Sequence, residues 1–207
     1  VGSGGGALAG AYTAASNGLR TVVLEKTALF GGTSAYSGAG LFLPGNQAEA
    51  RAGVVDSVDR GRTYLRAVLG DGDDPRREAY LRTAPELVEF LERDPLLRFR
   101  YFSFPDYFAV DGRLPGGGHI VPVPLPSAEL DADLLALLRP SIAAERNGVD
   151  VPRDTLGGAA ALIGRLLLAL RRTGNAELRT EACVERLVVE GGRVVGVQAH
   201  TDDGPLR

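Results

Sequence analysis

The chain contains no methionine, no tryptophan, a single cysteine and only two histidines. One cysteine excludes an internal disulfide framework. Cys183, His119 and His200 are not arranged with metal-ligand spacing, so no metal is expected. Cys183 stands in the apolar, strand-like stretch ACVERLVV, where a buried structural thiol is expected. A long uninterrupted apolar run is also missing. The longest, LIGRLLLAL, is broken by Arg165 and is far too short to cross a bilayer. No basic region precedes a secretory apolar run, so a cytoplasmic location without a transmembrane segment is expected. Nor is there an excess of one charge. The 23 Lys and Arg stand against 26 Asp and Glu, a formal balance of -3 with no basic stripe, so nucleic acid is not an expected partner. The compact pair Arg171 and Arg172 falls near a predicted helix end, where it complements the helix dipole. With no Met, and with Val1 directly on a glycine turn, the chain is expected to be part of a longer protein or to lack disordered or cleaved ends.

What is abundant is glycine, 28 residues in 207, and its placement is not even. The opening VGSGGGALAG puts a cluster of it just before an Ala-rich helical stretch. Glycine weakens regular elements, so such a cluster needs a reason. Gly2, Gly4 and Ala7 stand in the G-x-G-x-x-G/A spacing of a dinucleotide fingerprint, with Gly5 and Gly6 inside it. The first glycine permits a tight turn, the second lets backbone approach a pyrophosphate, and the small third residue lets helix and strand pack closely. Val1 reads as the end of a first strand, residues 7–17 as a helix closed by Asn-Gly, and residues 21–25 (TVVLE) as a second, buried parallel strand. Glu25 ends that strand about 20 residues after the fingerprint, where a carboxylate accepts from adenosine ribose hydroxyls. An acid there disfavours a 2′-phosphate, which points to FAD or NAD rather than NADP. Lys26 beside it is a candidate for phosphate or ribose contact. The fold class is therefore α/β, with a Rossmann-like dinucleotide-binding domain.

Further along, helices are predicted over residues 56–69, with Asp56 as N-cap, and over 75–93, with Leu81, Leu87, Val88 and Leu91 on one side. Pro85 should start or kink a helix rather than sit in its middle. Regular periodicity fails from 99 to 125, an aromatic and Pro-Gly-rich segment suited to a lid, a site wall or a connector. A helix is predicted over 128–138, weak polar sequence over 141–156, and the clearest late helix over 157–173. The tail reads as strands folded about Gly191-Gly192, a hairpin signal, and TDDGPLR closes it.

The stretch VGSGGGALAGAYTAASNGLRTVVLEK, followed by GGTSAYSGAG, resembles the flavoprotein family of fumarate reductases, succinate dehydrogenase flavoprotein subunits and 3-ketosteroid Δ1-dehydrogenases. LFGGTSAYSGAGLFLPGN, YLRAVLGD, PELVEFLE and FPDYF are most similar to the steroid-dehydrogenase branch, and the likeness spans most of the chain. The resemblance implies FAD, held in a glutathione-reductase-type domain with a mixed sheet, as the N-terminal portion of a longer two-domain flavoprotein. It further implies that Gly31, Gly32, Thr33 and Ser34 wrap the pyrophosphate side of the cofactor. Ser37, Gly38, Ala39 and Gly40 would pass near the isoalloxazine, and the strand around Val184 would supply an adenine-side backbone contact. Nests of backbone N–H in Gly/Ser turns suit such oxygens.

For the steroid branch the resemblance implies oxidation of the C1–C2 bond of a 3-ketosteroid. A tyrosine base removes a C2 proton and hydride leaves C1 for flavin N5. Tyr107 in FPDYF is the candidate tyrosine and Tyr101 the fallback. His119 in PGGGHIVPVP is open between a carbonyl contact and a packed histidine. Segments follow as 1–98 for the N-terminal FAD-binding βαβ and following helices, 99–156 for the irregular segment near the substrate site, and 157–207 for the helix and return strands. The catalytic domain and the last FAD motif are expected to lie outside this chain. The expected partners are a hydrophobic small-molecule substrate, a steroid in the leading case, and the remaining half of the same polypeptide. Two alternatives stay open: a fumarate-reductase-like flavoprotein acting on dicarboxylates, and a truncated, inactive FAD-binding fragment.

Overall fold

A computed structural model describes residues 1–72, 74–201 and 204–206. In chain order the elements are α1 (Gly5–Ser16), β1 (Thr21–Leu24), a 3-10 turn (Gly32–Tyr36), β2 (Leu41–Phe42), α2 (Gln47–Arg51), α3 (Val58–Leu69) and α4 (Pro75–Leu91). Next come β3 (Phe99–Tyr101), β4 (His119–Pro122), β5 (Leu125–Pro126), a short 3-10 turn (Ser127–Glu129), α5 (Ala132–Leu137) and α6 (Ile142–Asn147). The chain closes with β6 (Thr155–Leu156), α7 (Gly158–Arg172), β7 (Ala176–Arg179), β8 (Cys183–Glu190), β9 (Arg193–Thr201) and β10 (Gly204–Leu206). Within the predicted stop GDGDDP, residue 73 lies outside the described residues, as do 202, 203 and 207 of the terminal TDDGPLR. Two compact units result, one from Val1–Ser37 with Pro124–Arg207, the other from Gly38–Val123.

In the first unit α1 packs on α7, and β1 pairs in parallel with β7, Thr21 opposite Ala176 and Leu24 opposite Arg179. Small residues let α1 lie close, with Leu8, Tyr12 and Ala15 buried. Val1 forms no strand. One residue before a glycine turn supplies only a single ladder bond, from Gly2 N–H to Leu24 O at 2.8 Å. The unit's core centres on α7, where Ile163, Leu166, Leu167 and Leu170 are essentially unexposed. Arg165, which breaks that apolar run, is buried too and donates to Pro124 O at 2.8 Å. The predicted Gly-Gly hairpin is present, with positive φ at both Gly191 and Gly192 joining antiparallel β8 and β9. Cys183 corrects an expectation. It is exposed rather than buried, because β8 begins at the rim of its sheet and Val184 takes the inward place. The helix predicted over 128–138 is shorter: α5 begins only after the 3-10 turn, at Ala132. The weak polar stretch 141–156 yields α6, capped by Ser141 Oγ, and β6, which pairs with β5.

In the second unit the order β2-β4-β3 forms an antiparallel sheet, so the aperiodic stretch 99–125 contains β3 and β4 as real strands, and β5 of the first unit begins at its last residue. They are too short for a period to show and are stabilised by pairing with distant residues. The N-cap of α3 is Ser57, whose Oγ accepts from Arg60 N–H at 3.1 Å. Asp56, expected there, instead binds the Arg60 side chain at 2.5 and 2.7 Å. Pro85 does sit inside α4. An interior proline costs about 3 kcal/mol, and burial of Leu81, Ala84, Val88 and Leu91 on one stripe outweighs it. Leu87, predicted for that stripe, faces outward, and Ala84 takes its place.

Asp106 and Arg60 organise the irregular part of this unit. Buried Asp106 accepts from Leu114 N–H at 2.9 Å and Gly118 N–H at 2.8 Å, while Arg60 reaches Asp106 at 3.3 Å and Gly112 O at 2.9 Å. At Gly117, φ is +76° and an added Cβ would fall 1.6 Å from Phe104 O, so only glycine fits.

Candidate functional site

The fingerprint turn and the end of β1 form one wall of a cleft in the first unit, with a volume of about 290 Å³. Gly2, Gly4, Glu25, Lys26, Gly32, Thr33 and Val184, all singled out in the sequence, line it, together with Ser3 and Cys183, which were not singled out for it. Gly5, Gly6 and Ala7 form the first turn of α1, and Gly31 and Ser34 belong to the 3-10 turn and its N-cap, whereas Gly38, Ala39 and Gly40 belong to the second unit. Ser37 closes the 3-10 turn at the end of the first unit's N-terminal segment.

The N-terminus of α1 faces this turn as a donor surface. First-turn amides have no intrahelical acceptor. Here the N-cap is Gly4, which supplies no side-chain cap, and the first turn carries no acidic residue. Gly5 N–H donates to Ser34 Oγ at 3.1 Å. A Cβ at Gly4 would lie 3.2 Å from that oxygen, whereas one at Gly6 would meet nothing within 4 Å. The glycines therefore bring the fingerprint turn and the 3-10 turn together and leave the helix start without a side-chain cap of its own, a surface that suits phosphate oxygens. These residues fit the pyrophosphate of a dinucleotide.

Glu25 is 4% exposed and well occupied by protein partners. Oε1 accepts from Thr27 N–H at 3.0 Å and is 2.9 Å from Thr27 Oγ1, while Oε2 accepts from Ser3 Oγ at 2.6 Å. The Ser3 backbone N–H reaches the same carboxylate, so Ser3 and Thr27 each hold it through both a hydroxyl and a main-chain amide. Burial works against its charge, but the hydrogen bonds from Ser3 and Thr27 outweigh that and hold the carboxyl below its ordinary value. Ser3 Oγ also accepts from Gly31 N–H at 2.9 Å, which ties the two glycine clusters to the same carboxylate. Gly31 is required there, with φ +125° and an added Cβ only 2.8 Å from Ala35 Cβ. Ser3 and Thr27 were missed in the sequence, although a hydroxyl inside the fingerprint and another two residues after its acid were the available signals.

In the second unit Tyr107 is 86% exposed and packs edge-on against Phe108. Tyr101 is partly buried and donates through its hydroxyl to Gly116 O at 2.7 Å. His119 lies in β4 against Phe42 and Phe104, and its buried Nδ1 is 3.8 Å from Asp106 Oδ1. Glu49 was not foreseen. It is 1% exposed, and neither of its oxygens accepts a hydrogen bond. Burial and the neighbouring Asp56 carboxylate push its carboxyl up to about 8, which keeps it protonated near neutral pH and able to donate to Asp56. No helix among the described residues is long and apolar enough to cross a membrane.

A parallel β-pair with a glycine turn, an uncapped helix start and an acid at the strand end define a dinucleotide-binding domain of the α/β class. The FAD binding domain family matches residues 1–207, and the chain belongs to it. It is 45% identical over 196 residues to a 3-oxosteroid 1-dehydrogenase of Rhodococcus opacus, covering 95% of this chain and 38% of that protein. It is 35% identical over 224 residues to a 4-oxocyclohexanecarboxylate 2-dehydrogenase of Sinomonas cyclohexanicum, covering 95% of this chain and 39% of that one. Among solved structures it is similar to a 3-ketosteroid Δ1-dehydrogenase from Sterolibacterium denitrificans in complex with 1,4-androstadiene-3,17-dione. The TM-score is 0.82 at 28% identity, covering 99% of this chain and 44% of that one. The chain thus spans about two fifths of the length of these relatives, as the N-terminal part.

Proposed function

We propose that this chain holds the adenosine and pyrophosphate part of FAD in the cleft between α1 and the end of β1. We further propose that the protein to which it belongs dehydrogenates a ring CH–CH bond beside a ketone. The observation that carries the first part is the first turn of α1, which has no acidic residue and no side chain at its Gly4 N-cap, beside the buried, ionised Glu25 in the same cleft. Phosphate oxygens would take the amides of the turn, a ribose hydroxyl would donate to Glu25 Oε2, and Gly32 and Thr33 would close over the phosphates. The backbone near Val184 would border the adenine. Bound FAD supplies a two-electron acceptor.

For the substrate, a 3-ketosteroid oxidised at C1–C2 is supported by the 45% identity to a 3-oxosteroid 1-dehydrogenase. Tyr107 is exposed and without a buried hydroxyl partner, so it is free to meet a ring substrate, and we assign it as the tyrosine of this chain that borders the substrate. The likeness to a 4-oxocyclohexanecarboxylate dehydrogenase favours a second reading with the same chemistry on a smaller ketone. Both relatives act on a ring bearing a ketone, so the bond class is common to the two readings and ring size separates them. Intact protein, loaded with FAD and an artificial electron acceptor, should reduce that acceptor with 3-ketosteroids. Turnover with the cyclohexanone acid alone would select the second reading, and none with either would dispose of both.

A further inference from the structure

Arg139 takes no part in the reading above, yet its guanidinium reaches the groups that hold Glu25. One terminal nitrogen donates to Thr27 Oγ1 at 2.7 Å, and the other to Tyr36 Oη at 3.1 Å and Glu145 Oε1 at 2.6 Å. Its Nε is buried with no acceptor among the described residues. The backbone is clamped as well. Phe30 N–H donates to Leu137 O at 2.8 Å and Arg139 N–H to Phe30 O at 2.9 Å, which fixes this arginine beside the second glycine cluster.

Thr27 has one hydroxyl proton, with Glu25 Oε1 at 2.9 Å and Leu29 O at 3.0 Å as its acceptors. An arginine donating into Oγ1 turns that proton away from the guanidinium and toward those acceptors. Thr27 N–H holds the same Oε1 at 3.0 Å. Oε1 is therefore engaged from the Arg139 side, whereas Oε2 is held from the fingerprint turn by Ser3 Oγ at 2.6 Å.

We propose that Arg139 is a positioning residue for the dinucleotide. Acting through Thr27, it sets the rotation of the Glu25 carboxylate so that Oε2 faces the adenosine ribose. The inference rests on the FAD reading of the cleft. Its contribution should equal that of an indirect, charge-assisted contact, about tenfold in affinity.

The test is FAD titration of the intact protein by quenching of flavin fluorescence. Arg139→Gln and Thr27→Val should each weaken FAD about tenfold, and Glu25→Gln at least as much. Adding Arg139→Gln to Glu25→Gln should cost less than about twofold more, since the arginine then has no carboxylate to position. Binding of FMN, which lacks the adenosine, should not respond to Arg139→Gln. Tyr36→Phe and Glu145→Gln, which remove the other partners of the guanidinium, should leave FAD affinity unchanged. A tenfold loss that persists on the Glu25→Gln background, or an equal loss for FMN, overturns the proposal. If Arg139→Gln does not fold, Thr27→Val carries the test, and unchanged FAD affinity in that variant overturns it too. Wild-type protein that binds no FAD overturns the underlying reading instead.

Discussion

Replacing Glu49 by glutamine should make the protein more stable, and only above acidic pH. Buried beside Asp56 and Arg60, the Glu49 carboxyl has its value raised from 4.5 to about 8. Asp56 itself is held below its ordinary value: burial opposes its charge, but Arg60 outweighs that, so the proton stays on Glu49. Between about 4.5 and about 8 the folded state therefore keeps a proton that the unfolded chain has released. Stability must fall as pH rises through that window, by about 1.4 kcal/mol per pH unit for this one group. At pH 7 the accumulated cost is about 3 kcal/mol. Glutamine keeps the shape, stays neutral at every pH and can still donate to Asp56. Glu49→Gln should match wild type near pH 4.5 and exceed it at pH 7 by up to about 3 kcal/mol, or about 6–12 °C in Tm for a chain of this size. Thermal unfolding followed by circular dichroism at both pH values gives the answer, because the difference between the two proteins cancels every other titrating group. A variant-minus-wild-type difference that is the same at pH 4.5 and pH 7 would refute the assignment of a neutral Glu49.

Other outcomes follow from single positions. Gly31→Ala forces a side chain into φ +125° with a contact at 2.8 Å, and should lose about 1–3 kcal/mol in a denaturant titration. Gly10→Ala, in the exposed part of α1 with nothing within 4 Å, should gain up to about 1 kcal/mol in the same titration. Cys183 is exposed on the cleft rim. FAD should therefore slow its alkylation, read by mass spectrometry of the Cys183 peptide, and an unchanged rate would count against a dinucleotide in that cleft. The Glu25 carboxyl is held low, so the stability its partners confer is present above its ordinary value of 4.5 and is lost as pH falls below it. Glu25→Gln should flatten the acid limb of a pH–stability curve, and an unaltered limb would contradict that network.

Much of the first unit is legible locally. The spacing of Gly2, Gly4 and Ala7, the Ala-rich helix behind them, the apolar TVVL and the Gly191-Gly192 turn each carry their conformation within a few residues, because φ freedom, helical packing and strand burial are short-range demands. Family membership was legible for the same reason, since it is written in those turns. The partners of the acid were not. Ser3 stands 22 residues from Glu25, and Arg139 stands 112 from Thr27, so only folding brings them together. In the second unit the aromatic run 99–125 shows no period, yet it is ordered by Asp106 and Arg60, 46 residues apart.

The sequence alone thus determined that a glycine turn, a following helix and a strand ending in an acid would form, since each is a matter of backbone sterics and local hydrophobic pattern. Tertiary structure decided which groups hold each oxygen of Glu25, that Glu49 is buried as a neutral acid, that Pro85 is carried inside a helix and that Cys183 lies at the surface. Those outcomes depend on what is packed against each group, and burial and pairing between residues far apart in the chain leave no local trace in it.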